Sequence, residues 1–132
     1  MKVVDTTFLI CLLRGDPKTV EKARELDEEG GAATTAINAF ELGYGVYRSM
    51  RDVERRLEEA MRVLSNLEIF PLDLGAGLEA AEIAGTFDRE GEGVDPFDAL
   101  IAGVVRAKGA ECVVTRNVAH FERIQDLKVE EH

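Results

Sequence analysis

Asp5, Glu41 and Asp98 are carboxylates at positions where an acid needs a physical reason. Asp5 ends the apolar run Lys2-Val3-Val4, at the carboxyl end of an expected strand. Glu41 falls in mid-helix on an apolar stripe formed by Ile37, Phe40, Tyr44 and Tyr47, with no lysine or arginine within four residues on either side. A local ion pair is therefore out of reach, and an unpaired carboxylate is costly to bury. Asp98 occupies the third position of a helix that opens at Asp95-Pro96. Together the three form an oxygen-rich set suited to Mg²⁺ or Mn²⁺, which prefer carboxylates and water to nitrogen or sulfur. With two histidines in the chain, one of them terminal, zinc is a poor fit. A fourth polar position, Asn117, follows the fourth expected strand, and Arg116 and His120 stand close enough to it to touch a substrate.

Each position also has a structural reading. Asp5 and Asn117 both suit helix N-caps. Asp95-Pro96 repeats the arrangement of Asp16-Pro17, an acid as N-cap with proline at the first helical position, so Asp95 is assigned mainly to starting its helix. Asp98 can complete a capping box there and favour the helix dipole. Convergence argues for a site: if the sheet is parallel, Asp5, Glu41, Asp98 and Asn117 all reach its carboxyl edge, where ligands bind. The basic run Arg48, Arg51, Arg55, Arg56 and Arg62 suits a solvated helix face, since Asp52/Arg56, Arg55/Glu59 and Glu58/Arg62 stand four apart. Tracking a phosphate backbone is its alternative role.

The elements that must position these residues follow from periodicity. Strands are expected at 2–5, at 32–34, at 67–72 (closed by Pro71) and at 111–115, with a fifth at 127–129. Between them lie a helix through Phe8, Leu9 and Leu12, and a second from Asp16 to about Glu29, stopped by Gly30-Gly31. A third is capped by Thr35. A fourth spans 52–66, with Val53, Leu57, Ala60, Met61 and Leu64 inward, and Asp73 caps a fifth through Leu78, Ala81, Ile83, Ala84 and Phe87. The glycine-rich segment 88–93 breaks that helix. Another runs from Phe97 to about Lys108, and a short helical turn leads from Asn117 to Phe121. Strands alternating with helices give an α/β fold: three layers, α/β/α, around a central parallel sheet of four to five strands. At 132 residues, 45% hydrophobic and 32% charged, a single globular domain over 1–132 is expected.

The formal net charge of −10 weighs against passive nucleic-acid binding, which relies on basic patches. Clustered acids that recruit divalent cations reverse the local charge and permit phosphate chemistry in an acidic protein. Cys11 and Cys112 sit in apolar surroundings without metal or redox spacing. No apolar stretch is long enough to span a membrane, and the early Asp5 is unlike a signal peptide, so a cytoplasmic protein is expected.

Four segments in order carry a family resemblance: Val4-Asp5-Thr6-Thr7-Phe8-Leu9-Ile10, Asn38-Ala39-Phe40-Glu41-Leu42-Gly43-Tyr44-Gly45, Phe97-Asp98-Ala99-Leu100-Ile101-Ala102 and Val114-Thr115-Arg116-Asn117-Val118-Ala119-His120-Phe121. The chain resembles the PIN domain and, within it, the VapC toxins of VapBC toxin–antitoxin pairs. The resemblance implies a Mg²⁺- or Mn²⁺-dependent endoribonuclease, usually a homodimer, in which Asp5, Glu41 and Asp98 bind metal. It implies that Thr7 supports Asp5 by hydrogen bonding, with Thr115 a second supporting residue, and that the partner is a VapB-like antitoxin whose tail occupies the acidic groove. Many relatives carry Asp where this chain has Asn117, so the fourth position adds no charge. Two other functions compete with RNA hydrolysis: a non-catalytic binding module with the same fold, and a phospho-aspartate phosphatase or receiver domain. The phosphatase lacks the second Asp it needs two residues on, because Thr7 stands there, and the receiver domain's acidic pair and late lysine have no good match.

Overall fold

Three residues suffice for the first strand, β1 (Lys2–Val4), because Val3 and Val4 are both fully buried, one on each face of the sheet. In the computed structural model, which describes residues Met1–His132, β1 is followed by α1 (Thr6–Leu13), α2 (Pro17–Glu28), β2 (Ala32–Thr35), α3 (Ala36–Ser49) and α4 (Val53–Leu64). The chain continues through β3 (Glu68–Phe70), α5 (Leu74–Arg89), α6 (Pro96–Lys108), β4 (Val113–Thr115), α7 (Val118–Phe121) and β5 (Val129–Glu131). All strands are parallel, in the order β3-β2-β1-β4-β5. The chain steps outward from β1 to β3, then returns to lay β4 against the other side of β1. That reversal leaves a crevice beyond the carboxyl ends of β1 and β4.

Side-chain alternation divides the core between the two faces. Val3, Ala33 and Val113 pack with Phe70, Ile83, Phe87, Ile101, Val104 and Phe121 under α5 and α6. Val4, Ala32 and Val114 pack with Phe8, Leu9, Leu26, Leu42 and Ala60 under α1, α2 and α4. Gly103 brings α6 onto α5: a Cβ there would lie 2.6 Å from the Ala76 carbonyl oxygen and 2.7 Å from the Ala80 Cβ. The body of α6 is thus anchored by backbone contact, which holds its first turn in place. No helix is long and apolar enough to cross a membrane.

The expected helix starts at Asp16, Thr35, Asp73 and Asp95 are all present, each side chain accepting a backbone amide of its first turn. Several expected faces are different. On α3 the buried residues are Ile37, Asn38, Leu42 and Val46, whereas Phe40, Tyr44 and Tyr47 are 52–62% exposed. Periodicity marks an aromatic stripe but not what covers it: here Phe40 stacks on Tyr44 and Phe97 at the surface, while the Leu42/Val46 face meets neighbouring elements. Met61 and Leu78 likewise face outward, and Ala60 and Ala80 are buried in their helices. β5 lies two residues later than expected. The turn at Asp126, with φ of 61°, leaves Leu127 packed against the core and lets Val129 pair with Val113.

Candidate active site

Asp5 both caps α1 and faces the crevice. Its Oδ1 accepts hydrogen bonds from the Phe8 amide at 3.1 Å and Thr7 Oγ1 at 2.6 Å, and its Oδ2 accepts one from Thr115 Oγ1 at 2.5 Å. The two hydroxyls are themselves held: Thr7 Oγ1 accepts the Arg116 amide and Thr115 Oγ1 the Asn117 amide. Because Asp5 follows β1 and Thr115 ends β4, this buried carboxylate ties together the two strands at the reversal point.

Glu41 is fixed by a relay that starts at the end of β2. Thr35 Oγ1 donates to Asn38 Oδ1 at 2.7 Å, Asn38 Nδ2 donates to Thr6 Oγ1 at 3.0 Å, and Thr6 Oγ1 donates to Glu41 Oε1 at 2.7 Å. No cation forms an ion pair with Glu41, as its local sequence foretold. Half-burial pushes its pKa up; the Thr6 hydrogen bond opposes this, and the negative charges of Asp98, Asp5 and Asp95 add to it.

Asp95 and Asp98 divide the start of α6. Asp95 Oδ1 accepts the Phe97 and Asp98 amides, which makes it the cap. Asp98 does not close a capping box; its Oδ2 turns instead to His120 Nδ1, 3.1 Å away. Burial raises the Asp98 pKa, the Asp95 charge raises it further, and His120 opposes both. Asn117 precedes α7 without a side-chain capping bond, so its amide is left to face the crevice.

These side chains meet in one cleft of about 190 Å³, whose walls include Asp5, Thr7, Glu41, Asp95, Asp98, Asn117 and His120. Four carboxylates and no lysine or arginine line it. A larger cavity of about 260 Å³ beneath α1, α2 and α4 has eight hydrophobic residues among its ten and brings no acids together. It is a packing gap rather than a reaction site.

The structure brings Asp5, Glu41, Asp98, Asn117, Thr7 and His120 together, with Thr115 directly behind Asp5. Arg116 stands apart. Its guanidinium binds Asp16 Oδ2 at 2.5 Å and Thr19 Oγ1 at 3.3 Å at the start of α2, and only its amide serves the site. Sequence reasoning missed Asn38, Thr6 and the aromatic wall at Phe97. Asn38 lies three residues before Glu41 and three after the Thr35 cap, and that i,i+3 spacing of polar residues was the available signal.

No three of the acids stand close enough to form a ready-made metal cage. Each is held by its own hydroxyl or imidazole, and their like charges repel. The donor set is nonetheless all oxygen, half-buried and without a compensating cation, which suits a hard divalent ion that keeps several waters and needs only one or two carboxylates directly.

Sequence and fold comparisons find relatives over nearly the whole length of the chain. Residues 2–127 match the PIN domain family. The tRNA(fMet)-specific endonuclease VapC of Shigella flexneri is 30% identical over 129 residues, spanning 98% of this chain and 96% of that protein. The DNA-bound VapBC structure from Salmonella typhimurium superposes with a TM-score of 0.88 at 29% identity, covering 98% of this chain and 96% of that one. VapBC2 from Rickettsia felis, bound to a promoter DNA fragment, has a TM-score of 0.91 at 24% identity over 99% of this chain and 98% of that one, a likeness of fold.

Proposed function

The chain belongs to the PIN-domain family, and from that premise we propose how its acidic cleft hydrolyses RNA. The protein is a ribonuclease of the VapC kind, the toxin half of a toxin–antitoxin pair, and its partner is a VapB-like antitoxin. One observation carries the mechanism: four carboxylates line a cleft at the sheet's reversal point with no permanent cation among them. Such a cleft repels a phosphate until a divalent ion enters.

Asp5 and Asp98 would hold Mg²⁺ or Mn²⁺, with Asn117 offering a neutral amide oxygen beside them. Bound there, the ion would supply a Lewis acid that polarises a phosphate oxygen and lowers the pKa of a water. Asp5 is locked by three donors, so its free lone pairs have a fixed direction without further ordering. Glu41 uses Oε1 to accept from Thr6, which leaves Oε2 to orient the attacking water or to complete the ligand set. Attack by that water on phosphorus would break the bond to the leaving ribose oxygen, the water's proton passing to Glu41 Oε2, and His120 and Asn117 line the same cleft.

The test is cleavage of single-stranded RNA and of tRNA(fMet), the substrate in the Shigella relative's name, with Mg²⁺ or Mn²⁺. Asp5→Asn should lose cleavage while keeping its far-ultraviolet spectrum. Calorimetric titration with Mn²⁺ should give heat for the native chain and none for Asp5→Asn. Equal cleavage by both proteins sinks the mechanism.

A further inference from the structure

Glu41 is a wall shared by two clefts. Beyond it, between the end of α1 and the faces of α3 and α4, lies a second cleft of about 370 Å³ that includes Arg14, Arg48, Arg56 and Glu59. In a chain of net charge −10, three arginines in one cleft are a local reversal of the overall field.

What sets them apart from Arg51, Arg62 and Arg89, which also lack a carboxylate partner, is that one cleft gathers them. Arg24, Arg55, Arg106, Arg116 and Arg123 each pair with at least one carboxylate. Arg14, Arg48 and Arg56 pair with none, and Glu59 is already engaged by Arg55 at 3.0 Å. Two of the three are oriented without being neutralised. The Arg48 guanidinium lies over the Tyr44 ring at 5.5 Å, and Arg56 donates to Ser49 Oγ and the Arg51 carbonyl, both uncharged acceptors. A guanidinium held in this way keeps its charge and its remaining donors for a ligand.

We propose that this cleft binds the phosphodiester backbone of the RNA strand beside the cut, with Arg14 and Arg48 on its phosphates. The inference rests on the ribonuclease reading of the acidic cleft and extends it. Continuity favours RNA over an acidic peptide or a second copy of the chain. Glu41 and Arg48 are two helical turns apart on α3, about 10 Å, so the arginines are within reach of a strand whose scissile phosphate sits at the acids. An acidic enzyme also needs a local basic track to retain a polyanion once its reacting phosphate is released.

The experiment measures steady-state cleavage of single-stranded RNA with Mn²⁺ over a series of salt concentrations, for the native protein and Arg14→Gln/Arg48→Gln. The double variant should raise KM about tenfold or more with kcat nearly unchanged, the pattern of lost uniform binding. Its plot of log(kcat/KM) against log[salt] should be shallower by about 1.4, or 0.7 for each phosphate contact on a single strand. Arg62→Gln/Arg89→Gln removes the same charge outside the cleft and should leave KM and slope as they were. Native KM and slope in the double variant overturn the proposal, as does an equal loss in the control, which would signal long-range charge alone. A change in sedimentation with unchanged RNA kinetics overturns it too, and marks the cleft as an interface between copies. If the native protein cuts no RNA with either ion, the ribonuclease reading itself falls, a result distinct from any of these.

Discussion

Asp16-Pro17 and Asp95-Pro96 start α2 and α6 by the same local device, an acid accepting first-turn amides ahead of a proline, yet their surroundings are opposite. Around Asp16 stand Thr19 and Arg116; the two Thr19 hydrogen bonds, then the guanidinium, hold its carboxyl below the usual range. Glu130 is treated alike, clasped by Lys22 at 2.8 Å and Lys2 at 3.1 Å, and its pKa is also lowered, chiefly by Lys22. Around Asp95 stand Asp98, Glu41 and Asp5, with His120 the only basic group in the cleft, and both Glu41 and Asp98 are raised. The fold supplies cations to Asp16 and Glu130 and brings no lysine or arginine to the acidic cleft. Acids whose charge has no internal partner are the ones that select for a cation from solution.

The largest effect expected from this contrast separates Asp98 from Asp16. Asp98→Asn should lower RNA cleavage by more than the roughly 10–100-fold typical of losing a supporting hydrogen bond at a metal site. Asp16→Asn should retain activity, because its charge serves α2 and Arg116 alone. Similar losses in both would dissolve the distinction.

Next comes the relay behind Glu41. Asn38→Ala removes the donor to Thr6 and leaves Glu41 free to turn, for an expected loss of about 10–100-fold in activity or metal affinity. Since Asn38 is fully buried, thermal melting must accompany the assay. A loss of stability with full activity in the surviving folded fraction would make the relay purely structural.

The smallest effect is a difference of sign with pH in chelator-treated protein. Raised folded pKa values at Glu41 and Asp98 mean that the folded state binds protons more tightly than the unfolded chain. Their stabilising contribution is complete below the ordinary carboxylate pKa and is lost as pH rises through the raised folded value. Glu130, lowered, contributes stability above its ordinary value and loses it as pH falls. Glu41→Gln should therefore gain melting temperature over the native chain at neutral pH and show no gain at about pH 4, whereas Glu130→Gln should lose at neutral pH. Adding Mn²⁺ should close or invert the Glu41→Gln gain by stabilising the native protein. A Glu41→Gln gain that is independent of pH would remove charge repulsion as the cause.

Much of this was legible along the chain. Strand–helix alternation specified a parallel sheet because parallel neighbours need crossovers. The caps at Asp16, Thr35, Asp73 and Asp95 were readable because a capping bond spans only two or three residues. Glu41 stood out because nothing nearby could neutralise it. The aromatic stripe of α3 was misread as the buried face, since period alone does not say which side of a helix meets another element. Arg116 was placed with the substrate by its nearness to Asn117, but its side chain reaches Asp16, a hundred residues earlier.

The sequence by itself determined which residues begin and end the elements and which acids reach the carboxyl edge of the sheet, because those depend on local hydrogen bonds and alternation. Only the tertiary structure decided which acids would be neutralised. Thr115 reaches Asp5 across 110 residues, Arg116 reaches Asp16 across 100, and Thr6 reaches Glu41 across 35. The first two contacts arise when β4 returns to the side of β1 and the third when β2 pairs with β1 and sets α3 beside α1, and Coulomb and desolvation energies depend on the distances that these pairings create.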